Sequence, residues 1–130
     1  MPTHEFEASI VDALTRRIAE AGSHLVIRLQ RSGGTGPDIV VQNTDNGRAL
    51  AIELKRSSGA LPISLYPQLK AINEEYKGRG ADFVVLSTAP ASGVLAHSSS
   101  TAHIDIIQVK DAEDAMLALE PRIQLLYPRQ

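Results

Sequence analysis

The sequence predicts an α/β domain with a mixed β-sheet flanked by helices. Three observations support this. Apolar residues in the opening segment recur at helical spacing. Three short strand-like runs follow, the last two joined by turn residues ending in Asn46-Gly47. A helical stretch then leads into Asp82–Thr88, apolar enough to be buried on both faces. An antiparallel hairpin followed by a helical crossover produces a mixed sheet with helices on its faces. At 130 residues the chain has the length of one domain, spanning 1–130.

The first helix starts at Thr3 as N-cap, carries Glu5 and Glu7 in its first turns, and stops at Gly22. Phe6, Ile10, Val11, Leu14, Ile18 and Ala21 form its apolar stripe. Glu7 falls near the centre of that stripe and Glu5 points away. A carboxylate there either pairs with something inside or sits in water on a frayed first turn. Leu25–Leu29 is the first strand, Pro37–Gln42 the second and Ala49–Lys55 the third. Asn43-Thr-Asp-Asn-Gly47 makes the hairpin turn between the last two. A helix from about Ser64 to Lys77 ends at Gly78 and Gly80, and Asp82–Thr88 is the fourth strand. Residues 89–102, rich in Ala and Ser, read as a loop. Ile104–Val109 is a fifth strand. Asp111 caps a short helix through Leu119, which Pro121 stops.

Composition removes several classes of function. No cysteine is present, which excludes a disulfide scaffold, a cysteine zinc site and a thiol nucleophile. His4, His24, His97 and His103 lack ligand spacing. The glycines at 33, 34 and 36 lack the lysine and helix of a phosphate loop. No apolar run is long enough for a membrane span, and the acidic start lacks an export signal core, so the expected location is the cytoplasm. The net charge of −2 is uneven: residues 28–80 hold eight basic and five acidic side chains, between acidic ends. That excess either forms a face for phosphate or is an ordinary solvated surface.

Three polar groups interrupt strands otherwise built from Ile, Val, Leu and Ala. Asp38 opens the second strand; Glu53 and Lys55 lie near the end of the third, on one face, with Leu54 on the other. Hairpin pairing brings Asp38 beside Glu53 and Lys55, and Glu7 can approach the same spot. Carboxylates beside a lysine form an oxygen-rich site suited to Mg²⁺ or Mn²⁺. Such an ion activates water, polarises a phosphate and stabilises a leaving oxygen, while the lysine orients or deprotonates the water. The plain alternative is a surface salt bridge between Glu53 and Lys55 on an edge strand.

Pro37-Asp38, fourteen intervening residues, then Glu53-Leu54-Lys55, resembles the PD-(D/E)XK nuclease superfamily. The predicted order over residues 5–88 is similar to that family's restriction-endonuclease-like αβββαβ core, here with an extra C-terminal strand and helix. The resemblance implies metal ligation by Asp38, Glu53 and the Leu54 backbone carbonyl, with Glu7 as a further acidic ligand. It implies catalytic roles for Glu7, Asp38, Glu53, Lys55 and Gln68. Gln68 is similar to a glutamine that some branches place near the site; its alternative is a solvent-facing helix residue.

The Ser32-Gly-Gly-Thr-Gly36 loop and the early glutamate are similar to archaeal-type Holliday junction resolvases. Gly36-Pro37-Asp38 and Glu53-Leu-Lys-Arg56 are similar to VRR-NUC domains. The resemblance thus implies a Mg²⁺- or Mn²⁺-dependent DNA endonuclease acting on duplex or branched DNA. The alternative is a non-catalytic nucleic-acid-binding or assembly subunit with the same fold. Arg28, Arg31, Ser32, Arg56 and Lys70 are the candidate phosphate contacts, which position nucleic acid without reading its sequence. With two Phe, three Tyr and no Trp, a base-stacking platform is not expected. Cutting two strands calls for two sites, so a homodimer is expected. The apolar Ile123–Tyr127 tail either meets a second copy or folds back over its own sheet.

Overall fold

The structure is a computed structural model that describes residues 3–21, 24–29 and 36–127. Arg31, Ser32 and the stop at Gly22 lie outside the described residues. The elements are α1 (Thr3–Ala21), β1 (Leu25–Leu29), β2 (Ile39–Asn43), β3 (Ala49–Lys55), α2 (Tyr66–Gly78), β4 (Asp82–Ser87), α3 (Gly93–Thr101), β5 (Asp105–Gln108) and α4 (Ala112–Gln124). A short 3₁₀ turn, Ile63–Leu65, leads into α2. The order through β4 is the αβββαβ order expected.

The five strands lie in the order β1-β2-β3-β4-β5. The pairs β1–β2 and β2–β3 are antiparallel, and β3–β4 and β4–β5 are parallel. The change follows from the connections: the turn at residues 44–48 reverses the chain between β2 and β3, whereas α2 and α3 carry it back across a face. The β2–β3 turn closes as its residues dictate. Asn43 Oδ1 accepts the Asp45 amide at 2.8 Å, and Gly47 adopts a positive φ of 76°.

Two cores sandwich the sheet. On one face Phe6, Ile10 and Leu14 of α1, with Ala115, Leu119 and Ile123 of α4, cover Leu50, Ile52 and Leu54 of β3. On the other, Leu69 and Ile72 of α2, with Leu95 of α3, cover Ala51, Phe83 and Val85. Alternation along β3 therefore fixes which helix each side chain meets.

Two expectations need correction. Residues 89–102 are not a loop, since α3 occupies 93–101. Ser92 caps it, accepting the Leu95 amide, and Leu95 and Ser99 bury one side. The segment has a single large buried apolar residue, so it shows almost no helical period. Nor does Pro121 stop α4, which runs to Gln124. Pro121 sits on the exposed face, where water can take up the carbonyl left without a donor. The next turn is held inward: Ile123 is buried, and Arg122 contacts Asp82 at 2.7 Å and Asp105 at 2.6 Å.

The tail beyond α4 folds back over its own sheet. Leu126 is buried, and its carbonyl accepts hydrogen bonds from the Asn43 and Asn46 side-chain amides. Arg48 donates to the carbonyls of Leu125 and Tyr127. That apolar stretch is therefore used within the chain and no longer argues for a second copy.

Candidate active site

The site forms where the β2–β3 hairpin opens. The last ladder pair is Ile39–Ile52, and one step beyond it Asp38 comes beside Glu53. By alternation Asp38, Glu53 and Lys55 share the face of Val40 and Ala51, toward α2. Asp38 Oδ2 accepts the Leu54 amide at 2.8 Å. This bond takes the place of a ladder bond and fixes the carboxylate. In a strand the amide and carbonyl of one residue point to the same neighbour, so the Leu54 carbonyl is also directed to the Asp38 side.

Glu53 is only 3% exposed. The Lys55 ammonium lies 3.5 Å from Glu53 Oε2, and Gln68 Nε2 reaches the same oxygen at 3.5 Å. Burial, and then the neighbouring Asp38 carboxylate, pushes the Glu53 carboxyl up to about 8, with Lys55 pulling the other way. Glu7 is half-buried, and its carboxyl is raised first by burial and then by Asp38. Glu7, Asp38, Glu53, Lys55 and Gln68 are thus brought to one place by α1, β2, β3 and α2.

The carboxylates do not form a three-ligand cage. Among the described residues no group of three or more His, Asp or Glu side chains is placed to hold a metal ion alone. Glu7 comes near Asp38 without completing such a group. The reason is packing: α1 lies on the opposite face of the sheet, so Glu7 reaches the site past the strand ends. Glu7 therefore stands as an electrostatic neighbour of Asp38. If Glu7 adds its negative charge to the site, Glu7→Gln is expected to weaken metal binding or activity, while Glu5→Gln on the exposed side has no effect. Equal effects in the two variants, or none in either, would show that Glu7 does not serve Asp38.

The candidate nucleic-acid contacts are dispersed. Arg28 pairs with Val40 in register, on the Asp38 face of the outer strand β1, and is exposed. Arg56 follows Lys55 and points to the opposite face. Lys70 lies two residues beyond Gln68, about 200° round α2, and pairs with Glu74 at 3.8 Å. It is not brought to the site. Two residues that the sequence did not single out stand beside Arg56: Thr88 and Lys110 line a cleft with it.

No protein-family model and no curated protein matches the chain. The solved structure of EndoMS in its apo form is similar, with a TM-score of 0.43 and 13% sequence identity, over 76% of this chain and 45% of that one. This chain therefore spans less than half of that protein's length. The functional reading rests on the side chains described above.

Proposed function

We propose that the chain is a metal-dependent endonuclease that hydrolyses phosphodiester bonds in duplex or branched DNA. The observation that carries this reading is a buried carboxylate, Glu53, held beside Asp38 and Lys55 at the end of a hairpin. Burying the Glu53 carboxyl beside a second, half-buried carboxylate is costly for folding, and a binding or assembly subunit has no use for it.

The donors fit Mg²⁺ or Mn²⁺. Asp38 and Glu53 are two carboxylates lacking a full counter-charge, the Leu54 carbonyl faces the same side, and Mg²⁺ ordinarily keeps several waters rather than demanding an all-protein cage. When bound, the ion supplies an activated water and charge stabilisation at the phosphate. The chain's own residues do the rest. The Leu54 amide holds Asp38 in one rotamer. Gln68 and Lys55 fix Glu53 Oε2. Lys55 presents an ammonium for orienting the attacking water and offsetting phosphate charge.

The test is incubation of duplex, nicked, flap and four-way DNA with and without Mg²⁺; cleavage that needs the metal supports the reading, and intact DNA throughout removes it. The reading includes a two-fold homodimer, which supplies a second site for a second cut. Light scattering at micromolar concentration is expected to give twice the chain mass. A monomer that cuts both strands in one encounter would rule the dimer out. Among the described residues no helix is long and apolar enough to cross a membrane.

A further inference from the structure

Lys55 and Arg56 are consecutive, and the sheet sends them to opposite sides. Lys55 enters the candidate active site; Arg56 lines a separate cleft of about 800 Å³ between α1, α4 and the ends of β3 and β4. That volume is in the range of ligand sites. Ser57, Ser58, Thr88 and Lys110 share its wall. Thr88 Oγ1 accepts the Ser57 amide at 3.3 Å, and Ser57 Oγ accepts the Gly59 amide at 3.2 Å. With these oxygens already accepting, the two hydroxyl hydrogens are left to donate into the cleft.

Arg56 and Lys110 form no ion pair among the described residues, although Asp111 and Glu113 line the same cleft. Asp111 is committed elsewhere, capping α4 through the Asp114 amide at 2.8 Å. Glu113 is exposed in the first turn of α4, where solvent screens its charge. Two cations without ion-pair partners and two donor hydroxyls make an anion site, and a guanidinium beside an ammonium suits phosphate.

We propose that this cleft is a phosphate-binding subsite for the substrate strand, on the side of β3 opposite Lys55. A strand whose reacting phosphate lies beside Lys55 crosses the end of β3 and lodges a neighbouring phosphate among Arg56, Lys110, Ser57 and Thr88. This rests on the endonuclease reading and adds to it the route of the strand.

The test is fluorescence anisotropy of labelled duplex oligonucleotides without divalent metal, in the Lys55→Ala background, across a salt series. Lys110→Ala is expected to weaken binding several-fold and to lower the slope of log K against log salt by about 0.9, the change for one phosphate contact on a duplex. Thr88→Val weakens binding with no change in slope. Arg79→Ala, at the far end of α2, changes neither. Equal losses with 5′-hydroxyl and 5′-phosphoryl oligonucleotides assign an internal phosphodiester; a loss confined to the second assigns a terminal phosphate. Unchanged binding in both cleft variants, or no oligonucleotide binding by the parent, overturns the subsite. If the cleft variants have no effect while Asp38→Asn still abolishes cleavage, only the subsite falls. If they weaken binding and no DNA is cut by the wild type, the subsite stands and the nuclease reading falls.

Discussion

Glu53→Gln is expected to stabilise the protein near pH 9 without divalent metal, by up to a few kcal/mol, and to leave it almost unchanged near pH 5. Glu53 has an ordinary value of 4.5 and is pushed up to about 8 in the fold. Between those values the folded chain holds a proton that the unfolded chain has released. Raising the pH therefore costs the folded state, and stability falls from about 4.5 through about 8 and then levels. A glutamine in this place would mimic the protonated carboxyl: it is neutral, has the same shape and can donate to Asp38. The variant thus lacks this stretch of pH dependence. Saturating Mg²⁺ or Mn²⁺ should flatten the wild-type profile, because binding to the folded state offsets the buried charge. Melting temperatures from about pH 5 to 9, with chelator and with metal, check this. A wild-type profile parallel to that of the variant would show that Glu53 titrates like an exposed carboxylate.

Much of the arrangement was legible because the sequence carries periods. The stripe Phe6, Ile10, Leu14 places α1, and the two-residue repeat of a strand puts Glu53 and Lys55 on one face of Ala49–Lys55, which is buried on both. Asn46-Gly47 sets the hairpin, and the hairpin register then brings Asp38 to Glu53. Helix α3 was illegible for the opposite reason. Among its Ala and Ser residues it buries one large apolar side chain, Leu95, and its capping Ser92 looks like any loop serine until the Leu95 amide is seen to donate to it. Pro121 misled because a proline on an exposed helix face costs less than one turned inward.

The site's surroundings were only partly legible. Lys70 stands away from Gln68 on α2 because two residues along a helix turn a side chain about 200°. Thr88 and Lys110 carried no local signal. They meet Arg56 because parallel β3 and β4 end side by side and α4 begins next to them, which is a property of the sheet order and not of any short stretch.

The second large effect is on catalysis. Lys55→Ala should lower cleavage by about 10²–10⁴-fold, the usual contribution of a positioned proton donor or acceptor. The fold should survive near neutral pH. Removing the ammonium takes away the cation that lies 3.5 Å from Glu53, and Glu53 answers by keeping its proton rather than by leaving an unpaired charge buried. Asp38→Asn should lose both cleavage and stabilisation by metal. Its side-chain oxygen can still accept the Leu54 amide, so the hairpin end is preserved while the charge is gone. The measurement that bears most directly on the site is Mg²⁺-dependent cleavage of the four DNA forms by wild type, Lys55→Ala and Asp38→Asn side by side, with melting temperatures on the same samples. Wild type should cut at least one form, and both folded variants should fall by about 10²-fold or more. Full activity in either variant, or a folded wild type that cuts none of the four with Mg²⁺ present, would contradict the assignment of Asp38, Glu53 and Lys55 as one hydrolytic site.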